Sequence, residues 1–297
     1  MASKESTRIG FVGIGNMGTP MAGHLCAAGW RVTVYDTDPK RSADFTAKNG
    51  GAAARSLAEL GAASDVVITM LPDGRIVRRV VLGDGGDCLA KGLAKGATII
   101  DMSSSAPVGT RELGADLQRH GVGMLDAPVS GAVKGAVAGK LSIMVGGDKA
   151  LAERMDPILA TMGKRFHVGP LGSGHAAKVL NNMVSAAGMA AAAEAVVVAR
   201  QFGIEPQTLV DVLNASTGKN NSTENKFSQY ILNNTFNSGF ALGLMVKDLA
   251  LAIEVASACG VSADLSKACL RVWADAQSEL GGNADHTEIA KHVGWTA

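Results

Sequence analysis

The stretch Arg8-Ile9-Gly10-Phe11-Val12-Gly13-Ile14-Gly15-Asn16-Met17-Gly18 decides the reading of the chain. A short aliphatic run ends at Val12, a G-x-G-x-x-G loop follows at once, and a helical pattern continues to near Ala28. In that context each glycine has a task. Gly13 permits a tight turn, Gly15 lets backbone approach a pyrophosphate, and Gly18 lets the helix pack closely on the strand. The helix N-terminus adds unpaired N–H groups that face anionic oxygens. Asp36 closes the next aliphatic run, about 20 residues after the fingerprint begins, where a carboxylate accepts hydrogen bonds from ribose hydroxyls and repels a 2′-phosphate. The expected cofactor is therefore NAD, with NADP kept as the alternative by the basic neighbours Lys40 and Arg41.

Outward from this loop, further aliphatic runs occupy 31–35, 66–70, 98–102, 123–126 and 141–145, separated by helical patterns. That alternation predicts βαβ units and a mainly parallel sheet, and runs without polar alternation predict strands covered on both faces. After about residue 168 the pattern is helical. The first helix, 172–202, spans about 45 Å at 1.5 Å per residue, long for a helix confined to one small domain. It reads as a spine, stopped by Gly203, with Pro206 opening the next helix. Further helices are expected over 206–215, 223–232, 242–259, 265–279 and 288–292. The predicted architecture is a Rossmann-type, doubly wound α/β domain over 1–168, followed by an all-α domain over 169–297 that serves substrate binding and oligomerisation.

Charge and cysteine usage narrow the partners. Twenty-eight Lys and Arg against 27 Asp and Glu leave a net charge of +1, which excludes a global field that recruits nucleic acid or anionic membrane. Small molecules and other subunits remain. Cys26, Cys88, Cys259 and Cys269 form no CxxC pair and have no His at ligand spacing, so no metal is expected, and free thiols suit a reducing cytosol. Residues 1–15 lack the apolar core and cleavage site of a signal peptide. The longest apolar stretch, 183–199, is Ala-rich and interrupted by Glu194, reading as a buried helix rather than a membrane span. A cytoplasmic protein without membrane contact is the expectation.

A dehydrogenase needs a group that takes the alcohol proton as hydride leaves carbon. Lys178 follows Gly172-Ser-Gly-His-Ala-Ala at the start of the long helix, among Ala176, Ala177, Val179 and Leu180. Partial desolvation there would lower its pKa toward useful acid/base range. Asn182, four residues on, shares that helical face. The same lysine also reads as one snorkelling from a helix end, and the residues alone leave both open. Two Ser/Gly-rich loops follow predicted strands, 101–107 and 126–132, where open α/β sheets bind ligands. Ser104, Ser130 and the Gly131 amide can bond a carboxylate, or the serines can cap the following helices. His175 lies beside Lys178 as a capping or supporting residue. Lys247-Asp248, as a charge pair alone, reads as a solvated feature.

Four separated motifs now stand in order: 13–21 (GIGNMGTPM), 126–131 (DAPVSG), 172–178 (GSGHAAK) with Asn182, and Lys247-Asp248. On these the chain resembles the 3-hydroxyisobutyrate dehydrogenase (β-hydroxyacid dehydrogenase) family along essentially its whole length. The resemblance implies a cleft between the two domains, Lys178 as catalytic acid/base and Asn182 as its helper. It implies cofactor contacts from Gly13, Ile14, Gly15, Asn16, Met17 and Gly18, from Leu71 and Pro72, and from Ser104 and Lys247. Substrate contacts would come from Ser130, Gly131 and Ala132, with Phe240 and Asp248 bordering the pocket. Ala132 stands where relatives often have a second glycine, and the segment 218–225 is more polar than the aromatic-containing versions of many relatives.

The implied activity is NAD(P)-dependent oxidation of a short 3-hydroxy acid to its semialdehyde, or the reverse. An NADPH-dependent glyoxylate, succinic semialdehyde or tartronate semialdehyde reductase shares the machinery, and Asp36 speaks against it. A non-catalytic dinucleotide-binding module is the rival of another class, opposed by the retained Lys178. The Ala-rich spine and apolar C-terminal helices point to a homodimer or homotetramer.

Overall fold

The computed structural model describes residues 2–296. It divides into two compact units, one ending at Lys178 and one beginning at Val179.

The first unit holds nine strands: β1 (Arg8–Val12), β2 (Arg31–Tyr35), β3 (Ala52–Ala53), β4 (Val66–Thr69), β5 (Thr98–Asp101), β6 (Gly123–Asp126), β7 (Val129–Ser130), β8 (Leu141–Gly146) and β9 (Gly163–Gly169). Seven helices alternate with them: α1 (Gly18–Ala27), α2 (Pro39–Asn49), α3 (Leu57–Ala62), α4 (Gly74–Leu82), α5 (Pro107–Arg119), α6 (Ala132–Val137) and α7 (Lys149–Leu159). The strand order is β3-β2-β1-β4-β5-β6-β8-β7, with β9 on β8. From β3 through β6 every pairing is parallel, whereas β8 runs antiparallel to β6 and β7. The first six strands thus have the doubly wound order, and the chain winds both ways from β1.

Successive strand residues serve opposite faces of this sheet, as the pleat requires. Ile9, Phe11, Val66, Ile68, Ile100 and Leu125 join one buried cluster with α1 and α7, while Val12, Val67, Ile99 and Met124 join the other. Both faces are covered, which is why the runs were continuously apolar. β9 is different. Among the described residues it pairs with β8 alone, and its surface is largely exposed. Lys164 Nζ lies 5.0 Å over the Phe166 ring, and Arg165 holds Asp156 through two 2.6 Å bonds.

The expected spine is α8 (Ser173–Phe202), thirty residues whose first turns belong to the first unit. By length and composition it is a helix that can cross a membrane. In the second unit, however, Ala186, Met189, Ala193 and Val196 recur at helical spacing and are fully buried against neighbouring helices. Those helices are α9 (Pro206–Ala215), a π-helical segment Thr223–Ile231, α10 (Leu242–Ala258), α11 (Asp264–Leu280) and α12 (Ile289–His292). The predicted helix over 223–232 exists with a wider winding, its last N–H at Leu232 reaching back to the Phe227 carbonyl.

Candidate active site

The glycine loop sits where β1 ends between β2 and β4. Gly13 donates to the Tyr35 carbonyl on one side, and has φ +97°, the left-handed region that glycine tolerates. A Cβ there would collide with the Met70 carbonyl oxygen on the other side. A Cβ on Gly18 would collide with the Gly13 carbonyl oxygen, so that glycine sets how close α1 lies to the loop. Gly15 differs from both, because the nearest atom to its virtual Cβ is an Arg41 nitrogen at 3.8 Å. The backbone is bare toward a surface groove of about 460 Å³ lined by Ile14, Asn16, Thr19, Arg41 and Phe45. A loop packed tight at two glycines and open at the third fits a dinucleotide pyrophosphate at a helix N-terminus.

Asp36 is fixed beside this loop. Its Oδ2 accepts from the Ile14 N–H at 2.8 Å and its Oδ1 from the Asp38 N–H at 3.0 Å. Lys40 and Arg41 each have a carboxylate of their own, Asp44 at 2.7 Å and Asp38 at 3.7 Å.

The loops after β4 and β5 are tied to each other. Ser103 Oγ accepts from the Leu71 N–H at 2.9 Å, beside Pro72. Asp101, buried, receives Thr69 Oγ1 at 2.9 Å, the Ser103 N–H at 3.0 Å and Ser105 Oγ at 2.7 Å. Ser103 and Ser105 are thus buried and committed to the scaffold, while Ser104 between them is half-buried. In the loop after β6, Ser130 pairs with Ser142 of β8, Gly131 has φ +128° and Ala132 has φ +51°. An alanine in the left-handed region is strained by about 1 kcal/mol or more, which accounts for glycine being the easier residue there.

Asp126, at the end of β6, anchors the start of α8. Its Oδ1 accepts the Gly172 N–H at 2.8 Å and its Oδ2 the His175 N–H at 2.7 Å. The approach is close enough that a Cβ on either Gly146 or Gly174 would meet the Asp126 carboxylate. His175, fully buried, donates from Nε2 to the Ser103 carbonyl at 3.1 Å, and its Nδ1 lies 2.8 Å from Thr110 Oγ1. Lys178 follows one turn later, half-buried.

In the second unit, Asn182 Nδ2 donates to Asp248 Oδ2 at 2.7 Å, and Asn182 Oδ1 accepts from Asn181 at 3.2 Å. Lys247 Nζ is 3.6 Å from Asp248 Oδ1. Asp248 is buried, not a solvated partner. Phe240 stands edge-on to His286 at 5.4 Å, in a cluster where Asp285 accepts from Ser238, Thr287 and the Gly239 N–H.

The expected residues therefore fall into two groups. The glycine loop, Asp36, Leu71, Pro72, Ser104, Ser130, Gly131 and Ala132 belong to the first unit, following β1, β2, β4, β5 and β6, with Lys178 at its end. Asn182, Phe240, Lys247 and Asp248 lie in the second. Asp101, Thr110 and Asp285 were not anticipated. Asp101 and Asp126 carried one signal, each being an Asp that ends an aliphatic run, and they are register partners in the sheet.

Residues 8–170 match the family model described as the NAD binding domain of 6-phosphogluconate dehydrogenase. Residues 172–293 match that described as NAD-binding of NADP-dependent 3-hydroxyisobutyrate dehydrogenase. The 2-(hydroxymethyl)glutarate dehydrogenase of Eubacterium barkeri is 35% identical over 289 residues, 97% of this chain and 95% of that one. The 3-hydroxyisobutyrate dehydrogenase of Pseudomonas aeruginosa is 38% identical over 285 residues, 92% of this chain and 95% of that one. Among solved structures, the 3-hydroxyisobutyrate dehydrogenase of Mycobacterium tuberculosis with L-serine superposes with TM-score 0.89 at 38% identity, covering 97% of this chain and 99% of that one. The resemblance carried by the four motifs holds.

Proposed function

This chain belongs to the 3-hydroxyisobutyrate dehydrogenase family, and we propose that it interconverts a short 3-hydroxy acid and its semialdehyde, with Lys178 as the proton carrier and NAD as the preferred cofactor. It is an NAD(P)-dependent oxidoreductase of hydroxy acids. The observation that carries the proposal is that the first turn of α8, leading to Lys178, is hydrogen-bonded to the end of β6, which bears the Ser130 loop, and to the loop after β5, which bears Ser104.

The three relatives narrow the substrate class. 3-Hydroxyisobutyrate, 2-(hydroxymethyl)glutarate and L-serine share one skeleton, a –CH₂OH group on the carbon that bears the carboxylate. The substrate proposed here is a 3-hydroxypropionate with a small substituent at C2. Ser130 and the Gly131 N–H bind its carboxylate without bringing a charge, Ala132 crowds the same loop, and Phe240 and Asp248 border the substituent. Gly13 to Gly18 and Asp36 hold the dinucleotide, with Leu71, Pro72, Ser104 and Lys247 along it. Bound there, the dinucleotide would supply the hydride acceptor or donor for the carbinol carbon. The Lys178 amine takes the hydroxyl proton as the carbonyl forms and gives it back in reduction. Asn182, its amide held by Asp248, keeps the substrate oxygen in line.

We assign nucleotide binding to 1–168 and substrate binding with oligomerisation to 169–297, beside family matches that divide the chain between 170 and 172 and compact units that divide after Lys178. A homodimer or homotetramer is supported by a solvent-facing stripe on α8, where Val184, Val198 and Phe202 are 67%, 66% and 85% exposed. Such a stripe calls for a partner helix, and a monomer in sedimentation would exclude it. The proposed location is the cytoplasm.

Lys178→Ala tests the chemistry. Turnover should fall by about a hundredfold or more while NADH binding, read by fluorescence, persists. Unimpaired turnover would refute the assignment.

A further inference from the structure

The proton carrier proposed above is one half-buried side chain on a helix, and a helix fixes a side chain only as well as its own position is fixed. α8 begins at a joint built around a buried carboxylate, with Arg111 on the surface donating to the Leu171 carbonyl. Asp126 takes two of the N–H groups at its start, Gly172 and His175, and the glycines at 146 and 174 let backbone close onto that carboxylate. The imidazole of His175 then reaches sideways. Nε2 meets a carbonyl oxygen, Ser103, which can only accept, so this nitrogen carries hydrogen; Nδ1 meets the Thr110 hydroxyl of α5. Ser103 in turn receives the Leu71 N–H. One fully buried ring thus links the loop after β4, the loop after β5, helix α5 and the first turn of α8.

We propose that His175 is a positioning residue for the reaction. Held between Ser103 and Thr110, it registers the first turn of α8, and with it Lys178 three residues on, against the loops that carry Leu71 and Ser104. This rests on Lys178 being the proton carrier. The buried ring has no route to the reacting atoms of its own, so its effect is on where the amine stands. Displacing a catalytic group by about 1 Å costs on the order of a hundredfold in rate while leaving binding surfaces intact.

The test compares His175→Leu, which keeps bulk and removes both bonds, with His175→Gln, whose amide restores a donor and an acceptor, and with Thr110→Val, which leaves the ring and its bond to Ser103 and removes the Thr110 hydroxyl's bonds to Nδ1 and to the Ala106 carbonyl. Each is assayed as the full chain with NAD and 3-hydroxyisobutyrate, either protiated or deuterated at the carbinol carbon. For His175→Leu, kcat should fall about a hundredfold with KM and NADH affinity nearly unchanged, and the deuterium isotope effect on kcat should rise because hydride transfer becomes limiting. His175→Gln should recover most of the loss. Thr110→Val should lose about tenfold, and it carries the test if His175→Leu does not fold. A merely structural histidine predicts lower melting temperature with kcat per folded site and the isotope effect unmoved, and that result overturns the proposal, as does wild-type kcat in Thr110→Val. Lys178→Ala is run beside them. If it turns over normally, the acid/base assignment itself falls. If it is dead while the His175 and Thr110 variants behave as wild type, only the positioning role falls.

Discussion

Asn182 donates from Nδ2 to the carboxylate of Asp248 at 2.7 Å, a bond between residues 66 apart in sequence and both buried. The carboxylate accepts only, so it dictates which end of the Asn182 amide points away from it. Asp248→Asn can present an NH₂ group instead and lets that amide turn over. We expect kcat to fall tenfold or so, with a loss of about 1–3 kcal/mol of stability from the mismatched buried pair. Steady-state kinetics and denaturant titration of the variant check both halves.

Asp36 makes the second case. Its two oxygens are pinned by the N–H groups of Ile14 and Asp38, so its charge is fixed at the end of β2. Asp36→Asn keeps an acceptor for Ile14 and removes the charge. The ratio of kcat/KM for NAD over NADP should drop by about tenfold or more, since like-charge juxtaposition costs several kcal/mol. An unchanged ratio would mean that the carboxylate does not read the ribose.

Ala132, at φ +51°, sits where only glycine is comfortable. Ala132→Gly removes strain of about 1–2 kcal/mol and adds unfolded-chain entropy worth about 0.4–1 kcal/mol, so the net expectation is a gain of up to about 1.5 kcal/mol in urea unfolding. The same change enlarges the loop that we assign to the substrate carboxylate. KM for 3-hydroxy acids with bulkier C2 substituents should fall.

Burial would raise the carboxyl of Asp285, but hydrogen bonds from His286, Thr287 and Ser238 outweigh it and hold the group well below the usual carboxylate range. The unfolded chain then binds the proton more readily, so this carboxylate stabilises the fold above its unfolded value of about 4 and the contribution is lost as pH falls toward the folded one. Asp285→Asn should lower the melting temperature at pH 7, and the gap to wild type should narrow in acid. A gap independent of pH would contradict the assignment.

Much of the fold was legible because β1, β4, β5 and β6 carry apolar runs covered on both faces, while in β2 Val32 and Val34 alternate with polar or aromatic neighbours. β9 was missed for the opposite reason: Lys164, Arg165 and His167 interrupt it, and an edge strand needs no second apolar face. The winding of Thr223–Ile231 was illegible too, since nine residues do not separate a period of 3.6 from a wider one. Within the site, the glycines and Asp36 could be read locally. The ties that orient the rest could not, because Thr69 reaches Asp101 across 32 residues and His175 reaches Ser103 across 72.

The strand that escaped notice also explains how the sheet stops growing. Its outer margin offers an incoming strand from another molecule unpaired backbone groups, but pairing there would strip water from Lys164 and crowd the Arg165–Asp156 pair. Exposed Phe166 is roofed by that same lysine. A surface of this kind resists edge-to-edge aggregation and disfavours growth of the sheet past β9.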